Sequence, residues 1–114
     1  MLGIAIFLFI VAAILGLIIL TAIFKNEPTP KVIVFTHGPI AAIALIILIV
    51  YMINGNTSPL LITSIVLFVL AALGGLTLFT IDMQKKPIPK ALAVLHPIAA
   101  IIAFVTLLIY VFQQ

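Results

Sequence analysis

The stretch that decides the fold is Val32–Ile53, VIVFTHGPIAAIALIILIVYMI, bounded by Lys31 and by the turn sequence Asn54-Gly55-Asn56-Thr57-Ser58. It holds no lysine, arginine or acid. At about 1.5 Å of helical rise per residue it is long enough to cross a hydrocarbon core of roughly 30 Å. Three more runs of similar length and character flank it, Leu2–Phe24, Leu60–Ile81 and Ala91–Phe112. A chain of 114 residues that is 67% hydrophobic and 6% charged has too little polar sequence to clothe a water-soluble core. These features predict an all-α membrane protein, a four-transmembrane-helix up-down bundle over residues 1–114 with the lipid bilayer as its solvent.

The charges fall at one end of such a bundle. All five lysines lie in two short segments, Lys25 to Lys31 and Lys85 to Lys90, whereas the loop between the second and third runs is uncharged. The net charge of +3 is therefore a topology signal and not a nucleic-acid footprint. The excess of lysine predicts that both lysine loops are cytoplasmic and both termini outside. The first run lacks a basic leader and a small-x-small cleavage pattern, so it is expected to be retained. With no cysteine, thiolate metal sites, disulfides and covalent haem attachment through Cys-x-x-Cys-His are excluded.

Displacing the chain by 59 residues superposes its halves, 1–55 on 60–114. Pro28-Thr29-Pro30-Lys31 falls on Pro87-Ile88-Pro89-Lys90, His37 on His96, and Tyr51 on Tyr110. An even number of crossings separates the copies, so the two helical hairpins form a parallel repeat about an axis along the membrane normal. Shared residues recur in steps of four and three: His37, Ala41, Ala44, Leu48, Tyr51 against His96, Ala100, Ala103, Leu107, Tyr110. In the other arms the matches are Leu2, Ile6, Phe9, Ala13, Gly16 against Leu61, Ile65, Phe68, Ala72, Gly75. Such spacing marks one inward seam per helix.

Two histidines within the spans are the main functional signal, because an unpartnered polar group in lipid costs several kcal/mol. His37 and His96 each follow a boundary lysine by six residues, which puts both about 9 Å into the span from the lysine side. Their helices are expected to be diagonal partners with axes roughly 14 Å apart, too far for a direct imidazole–imidazole hydrogen bond. The pair can instead hold one metal at about 2 Å per bond, with a planar group filling the middle, which is the geometry of haem. Gly16 and Gly75 lie near the same depth and would leave room for a macrocycle, with Ala13 and Ala72 a turn further in and Ala41 and Ala100 clearing the turn after each histidine. Pro39 and Pro97 free a backbone carbonyl beside each histidine, and the lysines lie toward the face where haem propionates would emerge. The expected cofactor is haem b, one per chain, with His37 and His96 as metal ligands.

This constellation resembles the four-helix b-type membrane cytochromes of the cytochrome b and cytochrome b561 kinds, in which histidines of facing helices ligate haem. The resemblance implies membrane electron transfer, with a quinone or a redox protein as partner. In the cytochrome b pattern each ligand helix carries a second histidine 14 residues on; here those positions are Tyr51 and Tyr110, so the resemblance implies a single haem. A plainer assignment has each histidine bonded to a nearby hydroxyl, with Thr21, Thr36, Thr77 and Thr80 on the right side. The plainer assignment for Gly16 and Gly75 is close helix packing, and for the tyrosines it is the aromatic belt of the outer interface. A small transporter, or an accessory or assembly subunit of a larger complex, are the alternative functions, although the first helix lacks the embedded acid of four-span multidrug exporters. Pairing of bundles into a homodimer stays open, and no catalytic acid–base pair is visible.

Overall fold

The computed structural model describes residues 1–114 as four helices, α1 (Leu2–Phe24), α2 (Lys31–Ile53), α3 (Pro59–Met83) and α4 (Lys90–Phe112). All four are long and apolar enough to cross a membrane, and the chain is an all-α, multi-pass bundle of membrane-spanning helices. The loops obey the same 59-residue offset as the helices. Each lysine loop begins where the helix ends in a left-handed residue, Asn26 at φ 55° and Lys85 at φ 57°. Around each, a six-to-one backbone bond closes the last turn, Glu27 N–H to the Ala22 carbonyl at 3.0 Å and Lys86 N–H to the Ile81 carbonyl at 3.2 Å. Two prolines then forbid further helix until α2 and α4 start behind Pro30 and Pro89.

Only 15 of the 114 residues are buried, while Phe7, Leu17 and Val32 are 63%, 63% and 79% exposed. An outer surface this apolar is stable against lipid and not against water. Threonines on that surface satisfy their hydroxyls within their own helices: Thr21, Thr36, Thr77 and Thr80 each donate to the carbonyl four residues earlier, at 2.6–2.9 Å.

Helices pack most closely within each hairpin, α1 on α2 and α3 on α4, and less closely across the seams α2–α3 and α1–α4. The diagonal pairs meet only through side chains on the pseudo-two-fold axis. Phe9 stacks on Phe68 with centroids 4.0 Å apart and planes 4° from parallel. Tyr51 and Tyr110 face each other with their hydroxyls 3.3 Å apart. Between these layers Ala44, Leu48, Ala103 and Leu107 are fully or almost fully buried. The half of the bundle remote from the lysines is therefore a filled core. Ser64, also fully buried, is tied into it by donating to the Ala103 carbonyl at 2.8 Å.

Two expectations change here. The buried stripe of α1 runs Ala5, Phe9, Ala12, and that of α3 includes Ser64, Phe68, Ala71. Ala13 and Ala72 are instead exposed. Each follows a buried alanine by one residue, a turn of about 100° that carries it off the axis and onto a seam. Tyr110 is only 2% exposed and Tyr51 half-buried, so the tyrosines close the core at that end as their place on the inward seams implies, and the aromatic-belt assignment is set aside.

Candidate functional site

Below the Phe9–Phe68 layer, toward the lysine end, the packing stops and a cavity of about 1030 Å³ begins. Its wall includes His37, His96, Gly16, Gly75, Ala13, Ala72, Ala41 and Ala100, all eight positions expected from the sequence. The volume sits at the top of the roughly 300–1,000 Å³ range of small-molecule and cofactor sites. Small side chains make this space. Where the other half has leucine and phenylalanine on the axis, this half has glycine and alanine.

Each histidine is fixed by a bond within its own hairpin. His37 Nδ1 lies 2.8 Å from the Ala12 carbonyl, and His96 Nδ1 lies 2.7 Å from the Ala71 carbonyl. A carbonyl can only accept, so Nδ1 carries a proton in both rings, and in a neutral ring Nε2 then keeps its lone pair. The histidine partners are therefore backbone carbonyls and not the threonine hydroxyls of the plainer assignment. Carbonyls are available because each has a second lone pair beyond its intrahelical bond.

The glycines explain how an imidazole reaches them. A Cβ built on Gly16 would stand 3.0 Å from Cε1 of His37, and one on Gly75 would stand 3.0 Å from Cε1 of His96. Both distances are tighter than ordinary contact, so each ring lies in the notch left by a missing side chain. The room made by Gly16 and Gly75 is filled first by the imidazoles themselves.

Across the axis the two ring centroids are 6.3 Å apart with planes 89° apart. Neither Nε2 has a hydrogen-bond partner in the protein, and two neutral rings protonated at Nδ1 would both present acceptors there and could not satisfy each other. No third histidine, cysteine or acid joins them to form a three-ligand group. Zinc sites take three or four protein ligands, one or two more than this pair supplies. Nε2 lies 3.8 Å from a Cβ built on Gly16 in His37 and 3.5 Å from one built on Gly75 in His96, beside the glycine of the ring's own hairpin.

At the mouth toward the loops, Asp82 Oδ2 accepts from Thr29 Oγ1 at 2.7 Å and from Lys31 Nζ at 3.0 Å. Asp82 near a helix C-terminus is opposed by the helix dipole, and the ammonium of Lys31 offsets this. The sequence alone did not bring out this cluster, because Asp82 and Lys31 are 51 residues apart. It also joins two positions, Thr29 and Asp82, whose repeat mates are isoleucines.

No family model matches this chain, and neither a curated protein nor a solved structure shows significant similarity to it.

Proposed function

We propose that the bundle binds one haem b per chain, with His37 and His96 as the two axial ligands, and carries electrons within the membrane. One observation carries this: two repeat-related imidazoles, each bonded through Nδ1 to a backbone carbonyl and without a hydrogen-bond partner at Nε2, line one cavity with centroids 6.3 Å apart. His37 and His96 would hold the group, and Gly16, Gly75, Ala13, Ala72, Ala41 and Ala100 line the cavity that would take it. Bound there, the haem supplies a one-electron centre alternating between ferric and ferrous iron. The chain's own groups set its surroundings. The Ala12 and Ala71 carbonyls polarise the ligand rings and hold their orientation. The aliphatic wall keeps water away and lowers the dielectric. Phe9 and Phe68 seal the side toward the tyrosines.

The filled core between Phe9 and Tyr51 supports one haem and not two. A quinone or a redox protein is the partner in this reading, and the lysine loops lie on the cytoplasmic side by the positive-inside rule. Proton-coupled transport is less well supported, because the one acid on the cavity wall, Asp82, is already bound to Lys31 and Thr29.

The test is a reduced-minus-oxidised spectrum of protein made with ample haem. Sharp alpha and Soret bands are expected, and His37→Ala or His96→Ala is expected to abolish low-spin character. A colourless wild type overturns the haem assignment, and unchanged variant spectra move the ligands elsewhere.

A further inference from the structure

The repeat allows the two seams between hairpins to be compared position by position, and they are not equivalent. Across α2–α3, Phe35 and Phe79 meet edge to face with centroids 5.7 Å apart. Their repeat mates across α1–α4 are Val94 and Leu20, which make no such contact. At the base of the α2–α3 seam the triad Thr29–Lys31–Asp82 ties the hairpins together. The mates of that triad are Ile88, Lys90 and Ile23, and Lys90 instead stands 5.9 Å over the ring of Phe24 in the same seam. The cavity wall differs between the seams as well. Ile10, Ile14 and Val105 line it on the α1–α4 side, whereas their mates Val69, Leu73 and Ile46 do not; on the α2–α3 side Phe35 and Pro39 line it and their mates Val94 and Ile98 do not. The α1–α4 seam is also the more loosely packed of the two.

We infer that the α1–α4 seam is the entrance to the histidine cavity, opening sideways into the bilayer, with α2–α3 as the closed side about which the hairpins part. The seam is walled by Ile10, Ile14, Leu17, Ile101 and Val105, without a charged or hydrogen-bonding side chain. A ligand passing it is therefore a largely apolar molecule that partitions into the bilayer before it binds. At the lysine end a second pocket of about 640 Å³ adjoins the cavity and shares Ile23, Thr29, Asp82 and Ile88 with it, but its wall carries Glu27, Lys31, Lys85, Lys86 and Lys90 and does not suit an apolar ligand. This assignment of ligand class and route rests on the haem reading above; the asymmetry of the seams does not.

The absence of native cysteine makes the test clean. Two cysteine pairs at repeat-equivalent positions are bridged with the same flexible bis-maleimide: Ile14→Cys with Ile101→Cys across α1–α4, and Leu73→Cys with Ala42→Cys across α2–α3. In nanodiscs, bridging α1–α4 is expected to slow haem uptake by apo-protein at least about tenfold, as blocking a gating motion does. Bridging α2–α3 is expected to leave the rate within about twofold. Equal slowing by both bridges, or slowing by α2–α3 alone, overturns the inference. A second readout needs no haem. A nitroxide dissolved in the bilayer is expected to broaden the methyl NMR signals of Ala13 and Ala100 more than those of their mates Ala72 and Ala41. Equal broadening refutes the open seam, whereas unequal broadening without haem uptake refutes the haem reading alone.

Discussion

Replacing Gly16 with alanine separates a site glycine from a packing glycine. In a helix interior the change ordinarily favours folding by up to about 1 kcal/mol. Here the new Cβ would lie 3.0 Å from Cε1 of His37 and 3.5 Å from its Nδ1, so the ring must retreat by a few tenths of an ångström. The retreat lengthens the 2.8 Å bond to the Ala12 carbonyl. Hydrogen bonds between membrane helices are worth about 0.6 kcal/mol on average and about 1.7 at most. The two terms offset, so bundle stability in Gly16→Ala is expected to stay within about 1 kcal/mol of wild type. Ligation responds differently, because loss of the partner that orients a metal-bound histidine typically weakens metal affinity about 10- to 100-fold. The same holds for Gly75→Ala against His96, where Cε1 is also 3.0 Å away. Unfolding titrations in mixed micelles measure the first quantity and haem titrations of apo-protein the second. A Gly16→Ala protein that is more stable and binds haem as tightly as wild type would show that the glycine serves helix packing alone.

Three further outcomes follow from local geometry. Lys85 holds φ 57° without the freedom of glycine, so Lys85→Gly is expected to stabilise the bundle by about 0.5–1 kcal/mol, seen as a higher unfolding midpoint; a loss would contradict the strained cap. Ser64→Ala removes the 2.8 Å bond to the Ala103 carbonyl but matches the repeat mate Ala5, so a cost below about 1 kcal/mol is expected in the same titration. Phe9→Ala deletes one half of the 4.0 Å stack with Phe68; a cost of about 2–4 kcal/mol is expected, with greater water access to the histidine cavity by hydrogen exchange at α1. Stability unchanged in Phe9→Ala would mean that the stack does not seal the cavity.

The sequence made the four spans legible because lipid imposes a simple demand, a run of about 20 apolar residues with its backbone bonds satisfied internally. The repeat then made the inward histidines, Gly16 and Gly75 legible, since only side chains near the axis are constrained to match. Positions decided by a single turn of helix were not legible. Ala12 and Ala13, like Ala71 and Ala72, are indistinguishable in composition, and only packing shows that the first of each pair faces inward and gives its carbonyl to a histidine. The purpose of the glycines was half visible: a gap was expected, but its occupant, the imidazole, depends on a side-chain rotamer. The Thr29–Lys31–Asp82 cluster and the Phe35–Phe79 contact were hidden for a further reason. They break the repeat, and a comparison that looks for matched residues passes over the differences that make one seam unlike the other.

The most direct test of bis-histidine ligation is the electron paramagnetic resonance spectrum of the oxidised, haem-loaded protein. The imidazole planes stand 89° apart, each ring held through its Nδ1 bond to Ala12 or Ala71, and two histidines ligating one haem iron would give a low-spin ferric signal. That signal is expected from wild type and is expected to vanish in both His37→Ala and His96→Ala. A high-spin signal from the wild-type protein, or a low-spin signal that survives loss of either histidine, would contradict ligation by this pair.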